Sequence, residues 1–180
     1  MLTPSLTRLT WDSGLTTDPA LSPDGKLLAY PSDRSGEGHL EIYVQQVGGG
    51  EPLRLTKGPG DNREPAFSPD GTTIAFDSAD GGIDLVSTLG GTPRKLVTEG
   101  HGAQFSPDGI LIAYWAGDVS SVSLNIPGKA RMFVVDSIGG VPKQVRPDFA
   151  GSAFPVWTRD GRHLLLLGNP DANETETIYW

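Results

Sequence analysis

The chain contains no cysteine, and its acidic residues outnumber its basic ones. Without cysteine it has neither disulfide bonds nor thiolate metal ligands. With 14 Lys and Arg against 22 Asp and Glu, the formal net charge is −8, which argues against a nucleic-acid partner because phosphate backbones bind to basic surfaces. No apolar run approaches the ~20 residues of a membrane span, and the N-terminal residues do not resemble a signal peptide.

Glycine and proline, in contrast, are abundant, with 24 and 15 copies in 180 residues. They stand in a repeated pattern, because the tetrapeptide Ser-Pro-Asp-Gly begins at Ser22, Ser68 and Ser106, and a worn copy begins at Thr158. The copies are 46, 38 and 52 residues apart. This period is typical of a four-stranded β-propeller blade.

The residues around each tetrapeptide repeat as well. A short apolar segment precedes it and a second follows, and then come a third segment, a Gly-Gly-x-Pro turn and a short fourth segment. Proline fixes φ at the first corner of a turn and glycine adopts the left-handed conformation that ends it, so the first two segments form a hairpin. The aspartates of these turns are interpreted as turn formers. The pattern predicts an all-β fold, a β-propeller of about four four-stranded antiparallel blades.

The whole chain, 1–180, is predicted to be a single propeller region. Its parts are a fourth strand of a blade at 1–11, blade 1 at 16–56, blade 2 at 62–97, blade 3 at 101–146 and a partial blade 4 at 152–180.

These segments amount to sixteen strands, enough for a closed ring of four blades if the two ends meet. Because four blades are the tight extreme for propellers, we expect instead an arc of a larger propeller. An open arc exposes apolar blade faces, which favours self-association.

The segment from Glu64 to Phe76, Glu-Pro-Ala-Phe-Ser-Pro-Asp-Gly-Thr-Thr-Ile-Ala-Phe, resembles the WD40-like β-propeller repeat (PD40) of TolB-type proteins. The resemblance extends over nearly the whole chain. It implies a bacterial propeller like those of TolB, of prolyl-oligopeptidase-type peptidases and of propellers attached to Ser/Thr kinases, and it slightly favours an extracytoplasmic location. The repeated residues of that family are structural, so the resemblance assigns no functional residue.

Motifs of catalysis are missing from the sequence. It has no Gly-x-Ser-x-Gly nucleophile elbow, no glycine-rich phosphate loop and no kinase catalytic loop, so we predict a chain that is not an enzyme and needs no cofactor or metal. Because strands alternate in direction, His163 is predicted to lie on the opposite face from His39 and His101. The latter two are interpreted as solvated loop residues, and no pair of carboxylates is fixed by its spacing.

Loops of variable length collect on one face of the predicted propeller. Insertions on one face of a repeat protein often mark its binding face, although loops also drift where nothing constrains them. We therefore expect a protein, peptide or small ligand to bind at the central channel and at the long loop from Trp115 to Lys129. The predicted contact residues are Asp18, Arg63, Glu64, His101 and Trp115. The alternative is an accessory or sensor propeller of a larger enzyme, either a Ser/Thr kinase or a peptidase.

Overall fold

The structure, a computed structural model, describes residues 6–11, 13–118, 130–170 and 177–179. These residues form strands, turns and loops, and none of them belongs to a helix that could span a membrane. The strands are β1 (Ala20–Leu21), β2 (Leu27–Ser32), β3 (Glu41–Gln46), β4 (Leu53–Arg54), β5 (Arg63–Phe67), β6 (Thr73–Asp77), β7 (Ile83–Ser87), β8 (Arg94–Val97), β9 (His101–Phe105), β10 (Leu111–Ala116), β11 (Arg131–Asp136), β12 (Lys143–Val145), β13 (Gly151–Trp157), β14 (Leu164–Asn169) and β15 (Thr177–Tyr179).

Consecutive strands pair antiparallel into four sheets, as predicted. Sheet 1 is β1–β4, sheet 2 is β5–β8, sheet 3 is β9–β12, and sheet 4 holds β13–β15 within the described residues. Each sheet packs against the next, and their first strands lie together, β1 with β5, β5 with β9 and β9 with β13. The sheets are therefore blades of an open propeller arc, with the first strands on its inner side.

The Ser-Pro-Asp-Gly turns are held by a repeated set of hydrogen bonds. In sheet 3 the Ser106 hydroxyl donates to Asp108 over 2.6 Å, the Ile110 amide donates to the same carboxylate over 3.0 Å, and the Leu111 amide donates to Ser106 over 2.9 Å. The two bonds that Asp108 accepts hold its pKa below the ordinary value, because they favour its charged form. The turn aspartates thus act as predicted, as turn formers.

Successive turns also contact one another. A Cβ added to the glycine of one turn would lie in van der Waals contact with the proline ring of the preceding turn. These pairs are Gly71 with Pro23 at 3.9 Å, Gly109 with Pro69 at 3.5 Å and Gly161 with Pro107 at 3.5 Å. The turns of neighbouring blades therefore lie side by side.

The apolar core lies between the sheets. Burial of these facing side chains supplies the main attraction between neighbouring blades, because a single thin sheet cannot bury both of its faces. The clusters contain Ile42, Leu55, Ile74 and Phe76 between sheets 1 and 2, Ile83, Leu85, Ile112 and Tyr114 between sheets 2 and 3, and Trp115, Met132, Ala153 and Leu166 between sheets 3 and 4.

The N-terminal segment, predicted as a strand over 1–11, lies outside the sheets over its described part, 6–11. A fourth strand pairs with the third strand of its own blade, and no such partner lies beside this segment among the described residues. The segment still packs on sheet 1, because Leu9 contacts the cluster that includes Tyr43, and Gln45 Nε2 donates to the Leu9 carbonyl over 2.8 Å.

Candidate functional site

The backbone has an unusual conformation four residues before each Ser-Pro-Asp-Gly turn and before the worn copy, at positions within β5, β9 and β13 and just before β1. The residues there have left-handed φ angles, 43° at Asp18, 51° at Glu64, 63° at Gly102 and 57° at Phe154. The register between first and second strands shifts at this point in sheets 2, 3 and 4, as it does at a β-bulge. Because the first strands lie on the inner side of the arc, the bulges place these residues near its centre.

Three carboxylates gather at the inner side of sheets 1 and 2. Asp18 and Glu64 are exposed, whereas the Asp77 side chain at the end of β6 is only 13% exposed. Although Glu64 is exposed as a residue, neighbouring atoms partly desolvate its carboxylate, and this desolvation, followed by the charge of Asp18, raises the pKa of Glu64. Burial, and then the charge of Glu64, raise the pKa of Asp77 to about 6. The three groups therefore form a partly desolvated acidic site.

His101 balances part of this charge. Its Nδ1 lies 2.9 Å from Oδ2 of Asp77, and the amide of Gly102 donates to Oδ1 of the same carboxylate over 3.2 Å. Both contacts favour the charged form of Asp77 and limit the rise of its pKa. The His101 side chain is 49% exposed, as expected of a solvated residue, but His101 is the first residue of β9 and does not belong to a loop.

Aromatic rings form the other side of the site. The Trp115 ring lies 4.7 Å from the His101 ring and 5.7 Å from the Phe154 ring, measured between centroids. Trp115 is 7% exposed, and its indole nitrogen has no hydrogen-bond acceptor within the described part of the chain. A Cβ on Gly102 would lie 2.8 Å from that nitrogen and 3.5 Å from Glu64 Oε2. An unused donor and a carboxylate therefore flank the same backbone position.

The structure brings four of the five predicted residues together. We call Asp18, Glu64, Asp77, His101 and Trp115 the axial cluster. Trp115 lies within β10 and not in the loop that follows, and residues 119–129 of that predicted contact loop lie outside the described residues. That these residues bind a ligand remains a prediction.

Arg63 and Asp77 depart from the sequence interpretation. The Arg63 guanidinium pairs with Asp61 over 2.7 Å, so it is engaged beside the axial cluster rather than within it. Asp77 was not predicted. Asp77 ends the apolar strand β6, and the equivalent positions of sheets 1 and 3 hold the uncharged residues Pro31 and Trp115. A carboxylate at this one position of the repeat was the signal available in the sequence.

A second cluster surrounds Glu41, which is fully buried at the start of β3. Its carboxylate accepts hydrogen bonds from Arg54 over 3.0 Å, from the Gly58 amide over 3.0 Å, from Asn62 over 3.1 Å and from the Thr56 hydroxyl. A buried charge is tolerated when its oxygens are fully hydrogen-bonded. Glu41 therefore fastens the loop between sheets 1 and 2 to the first blade.

Two further side chains adjoin this network. His39 Nε2 lies 3.2 Å from Glu41 and 3.5 Å from Glu37, and the ligand atoms of the three residues lie within 4.8 Å of one another. Carboxylates with a histidine suit a divalent cation, but the Arg54 guanidinium already contacts both Glu37 and Glu41.

The predictions for these residues were wrong on two points. The His39 side chain is only 18% exposed, so it is not solvated, and the carboxylates of Glu37 and Glu41 do lie together. Strand alternation does not explain this, because the chain bends between Glu37 and His39, where Gly38 has a φ angle of 83°.

The family model described as the TolB beta propeller domain (PD40) matches residues 12–125. A Bacillus subtilis (strain 168) protein named "Uncharacterized peptidase YuxL" is 28% identical over 168 residues, covering 91% of this chain and 24% of that protein. The chain thus spans about a quarter of the length of this curated relative.

Solved propellers have the same fold. TolB from Acinetobacter baumannii aligns with a TM-score of 0.63 at 22% identity, covering 89% of this chain and 44% of that one. Oligogalacturonate lyase from Vibrio parahaemolyticus aligns with a TM-score of 0.69 at 15% identity, covering 92% of this chain and 50% of that one. At these identities the likeness concerns the fold alone.

Proposed function

Because this chain belongs to the TolB β-propeller domain family, we propose that it is a non-enzymatic binding module whose ligand site is the axial cluster. The observation that carries the proposal is the gathering of Asp18, Glu64 and Asp77, with the pKa values of Glu64 and Asp77 raised. Like charges held together cost folding free energy, and such strained groups concentrate at functional sites. A bound ligand of positive charge would relieve this repulsion.

The accessibility of the cluster supports binding. Asp18 and Glu64 are exposed, and the side chains of His101 and Phe154 are about half exposed, whereas Trp115 lies beneath them. A ligand at the inner side of the arc therefore meets charged groups and an aromatic surface at once. Binding sites in proteins commonly combine a few placed polar groups with such apolar walls.

The hydrogen bonding of His101 supports binding over catalysis. An Asp–His pair can orient a general base, but a nucleophilic mechanism also needs a hydroxyl or thiol within reach of the imidazole. The only polar partner described for His101 is Asp77. We therefore assign this pair to ligand binding.

The test is binding of the purified chain to an immobilised array of short peptides of varied sequence. The variant Glu64→Gln/Asp77→Asn keeps the size of both side chains and removes their charge. Asp80→Asn is the matched control, because Asp80 is an exposed carboxylate in the loop after β6.

We expect peptides that bind the native chain and the control to lose binding to the double variant. Equal binding by all three proteins would contradict the proposed site. If the native chain hydrolyses a bound peptide and the double variant does not, the non-enzymatic role is contradicted.

A second candidate function is that of an accessory propeller within a larger enzyme. It is favoured by the match to "Uncharacterized peptidase YuxL", of which this chain covers 24%. The coding sequence on either side tests it, since a downstream Gly-x-Ser-x-Gly would support a peptidase and an upstream kinase domain would support a sensor.

A further inference from the structure

We propose that the axial cluster binds a guanidinium group, presented as an arginine side chain by a peptide or protein partner. This inference rests on the proposed function and names the chemistry of its ligand. The cluster offers three carboxylates and one histidine, and the partner group must therefore be a cation.

Within the described residues, no basic side chain of the chain fills this role. Arg63 adjoins Glu64 in the sequence, but its guanidinium pairs with Asp61 over 2.7 Å, and its charge is the weakest of the influences on Glu64. His101 contacts Asp77, and the exposed carboxylates of Asp18 and Glu64 lie at the inner side of the arc. Net negative charge thus remains where a ligand can reach it.

The spread of the carboxylates favours an extended cation over a metal ion. Among the described residues, Glu37, His39 and Glu41 are the set whose ligand atoms lie within 4.8 Å of one another, and the axial cluster does not meet that distance. A single ion of small radius needs its ligands at about 2.0–2.6 Å and hence close together. A guanidinium instead carries five N–H donors spread over a plane, so it can reach separated carboxylates.

The aromatic side of the cluster also suits this group. Phe154 is 49% exposed, and its ring lies 5.7 Å from that of Trp115. The half-exposed ring of His101 also lies against Trp115. Guanidinium is planar and weakly hydrated, and it stacks on aromatic faces more readily than an ammonium does. An arginine can therefore use both sides of the cluster at once.

The indole nitrogen of Trp115 is an independent observation that points to a ligand. It is buried and has no acceptor among the described residues, although buried polar groups in proteins are usually hydrogen-bonded. It lies beside Gly102, on the same side as Glu64 Oε2. Because this nitrogen is itself covered, an acceptor reaches it only if the groups around Gly102 shift on binding; the carbonyl of an arginine-bearing peptide could then accept from it, which a bare cation could not.

The probe is the capped tripeptide acetyl-Gly-Arg-Gly-amide, titrated against the whole chain by calorimetry. Its neutral counterpart contains citrulline, which keeps the shape of arginine and loses the charge. A lysine tripeptide tests the planar group, free guanidinium chloride tests whether a peptide is needed, and Mn²⁺ alone tests for a metal site. Loss of a charge-assisted hydrogen bond weakens binding by about tenfold or more.

We expect the arginine peptide to bind at least about tenfold more tightly than the citrulline and lysine peptides. Glu64→Gln and, separately, Asp18→Asn should weaken it by about tenfold, while Asp80→Asn should leave it unchanged. Circular dichroism spectra matching the native chain establish that each variant is folded. The use of two separate variants keeps the test valid if one of them does not fold.

Several results would overturn the inference. It fails if the citrulline peptide binds as tightly as the arginine peptide, or if free guanidinium does. It also fails if Mn²⁺ binds to the native chain and Glu64→Gln abolishes that binding. In each of these cases a ligand site at the axial cluster would remain. If no peptide of the array binds either, the proposed function fails as well. The two failures are therefore distinguishable.

Discussion

Nδ1 of His101 lies 2.9 Å from Oδ2 of Asp77, although the two residues are 24 positions apart and belong to different sheets. Asp77 ends β6 and His101 begins β9, so the contact joins sheets 2 and 3 at the inner side of the arc. The Gly102 amide adds a second bond to the same carboxylate. A single side chain thus links the neighbouring blades at the candidate site.

The raised pKa of Asp77 predicts an unusual dependence of stability on pH. Its pKa rises from 3.8 to about 6 on folding, so the folded chain binds this proton more tightly than the unfolded chain. The resulting stabilisation is complete below pH 3.8 and is lost as pH rises through about 6. Between about pH 4.5 and 7.5 the free energy of unfolding should fall by about 2 kcal/mol from this group, as measured by urea denaturation.

The variant Asp77→Asn is the comparison for this pH series. The groups that face Asp77 are Glu64 and His101, with Asp18 and Arg63 acting on Glu64. Removing the titrating carboxyl should flatten the pH dependence over this interval. Profiles of the native chain and the variant that run parallel would contradict the assignment.

Glu41 and Glu37 contact the same arginine but differ in burial, and we expect their substitutions to differ accordingly. Glu41→Gln removes the negative charge that the Arg54 guanidinium and several other donors contact in the interior. It should therefore lower the free energy of unfolding by about 3 kcal/mol. Glu37→Gln affects a solvent-exposed carboxylate and should lower the free energy of unfolding much less. Urea denaturation of both variants measures the difference, and equal losses would contradict the structural role of Glu41.

Gly82 and Gly36 separate the effect of backbone conformation from that of close packing. Their φ angles are nearly equal, 71° and 74°, but a Cβ at Gly82 would lie 2.1 Å from the Val97 carbonyl oxygen whereas one at Gly36 would meet nothing within 4 Å. Gly36→Ala should therefore cost about 1 kcal/mol from its φ angle alone. Gly82→Ala should cost at least about 2 kcal/mol more, and a melting temperature close to that of Gly36→Ala would contradict this.

The hydroxyl of the Ser-Pro-Asp-Gly turn should contribute to stability in proportion to its burial. Ser106 is 3% exposed and bonds to Asp108 and the Leu111 amide, so Ser106→Ala should cost about 1–2 kcal/mol. Thr158 makes the equivalent bonds in a more exposed turn, and Thr158→Ala should cost less. Chemical denaturation gives both values, and a larger loss at Thr158 would contradict the argument.

The repeat determined most of the fold prediction. Four copies of one turn, each between short apolar segments, indicate hairpins and blades because turn chemistry and alternation are local properties. The N-terminal segment was predicted less well. Its likeness to residues 54–56 suggested a strand, but strand formation also requires a pairing partner, which sequence similarity does not supply.

The candidate site was predicted only in part. Asp18, Glu64 and His101 could be assigned to the centre because each stands at the start of a first strand. Asp77 could not, because its approach to His101 depends on how far one blade is rotated against the next. Burial of His39 and Glu41 was missed for the same reason, since the loop that covers them comes from the connection between two blades.

The approach of a turn glycine to the proline of the turn before it has an evolutionary consequence. Each complete Ser-Pro-Asp-Gly copy carries both halves of this pairing, so it presents a ring to the following turn and a small residue to the preceding one, whereas the worn copy at Thr158 keeps the glycine and has Arg159 in place of the proline. A duplicated complete repeat would therefore bring both halves of the match with it. On this face, a blade added next to a complete copy would need no compensating change in the neighbouring turn.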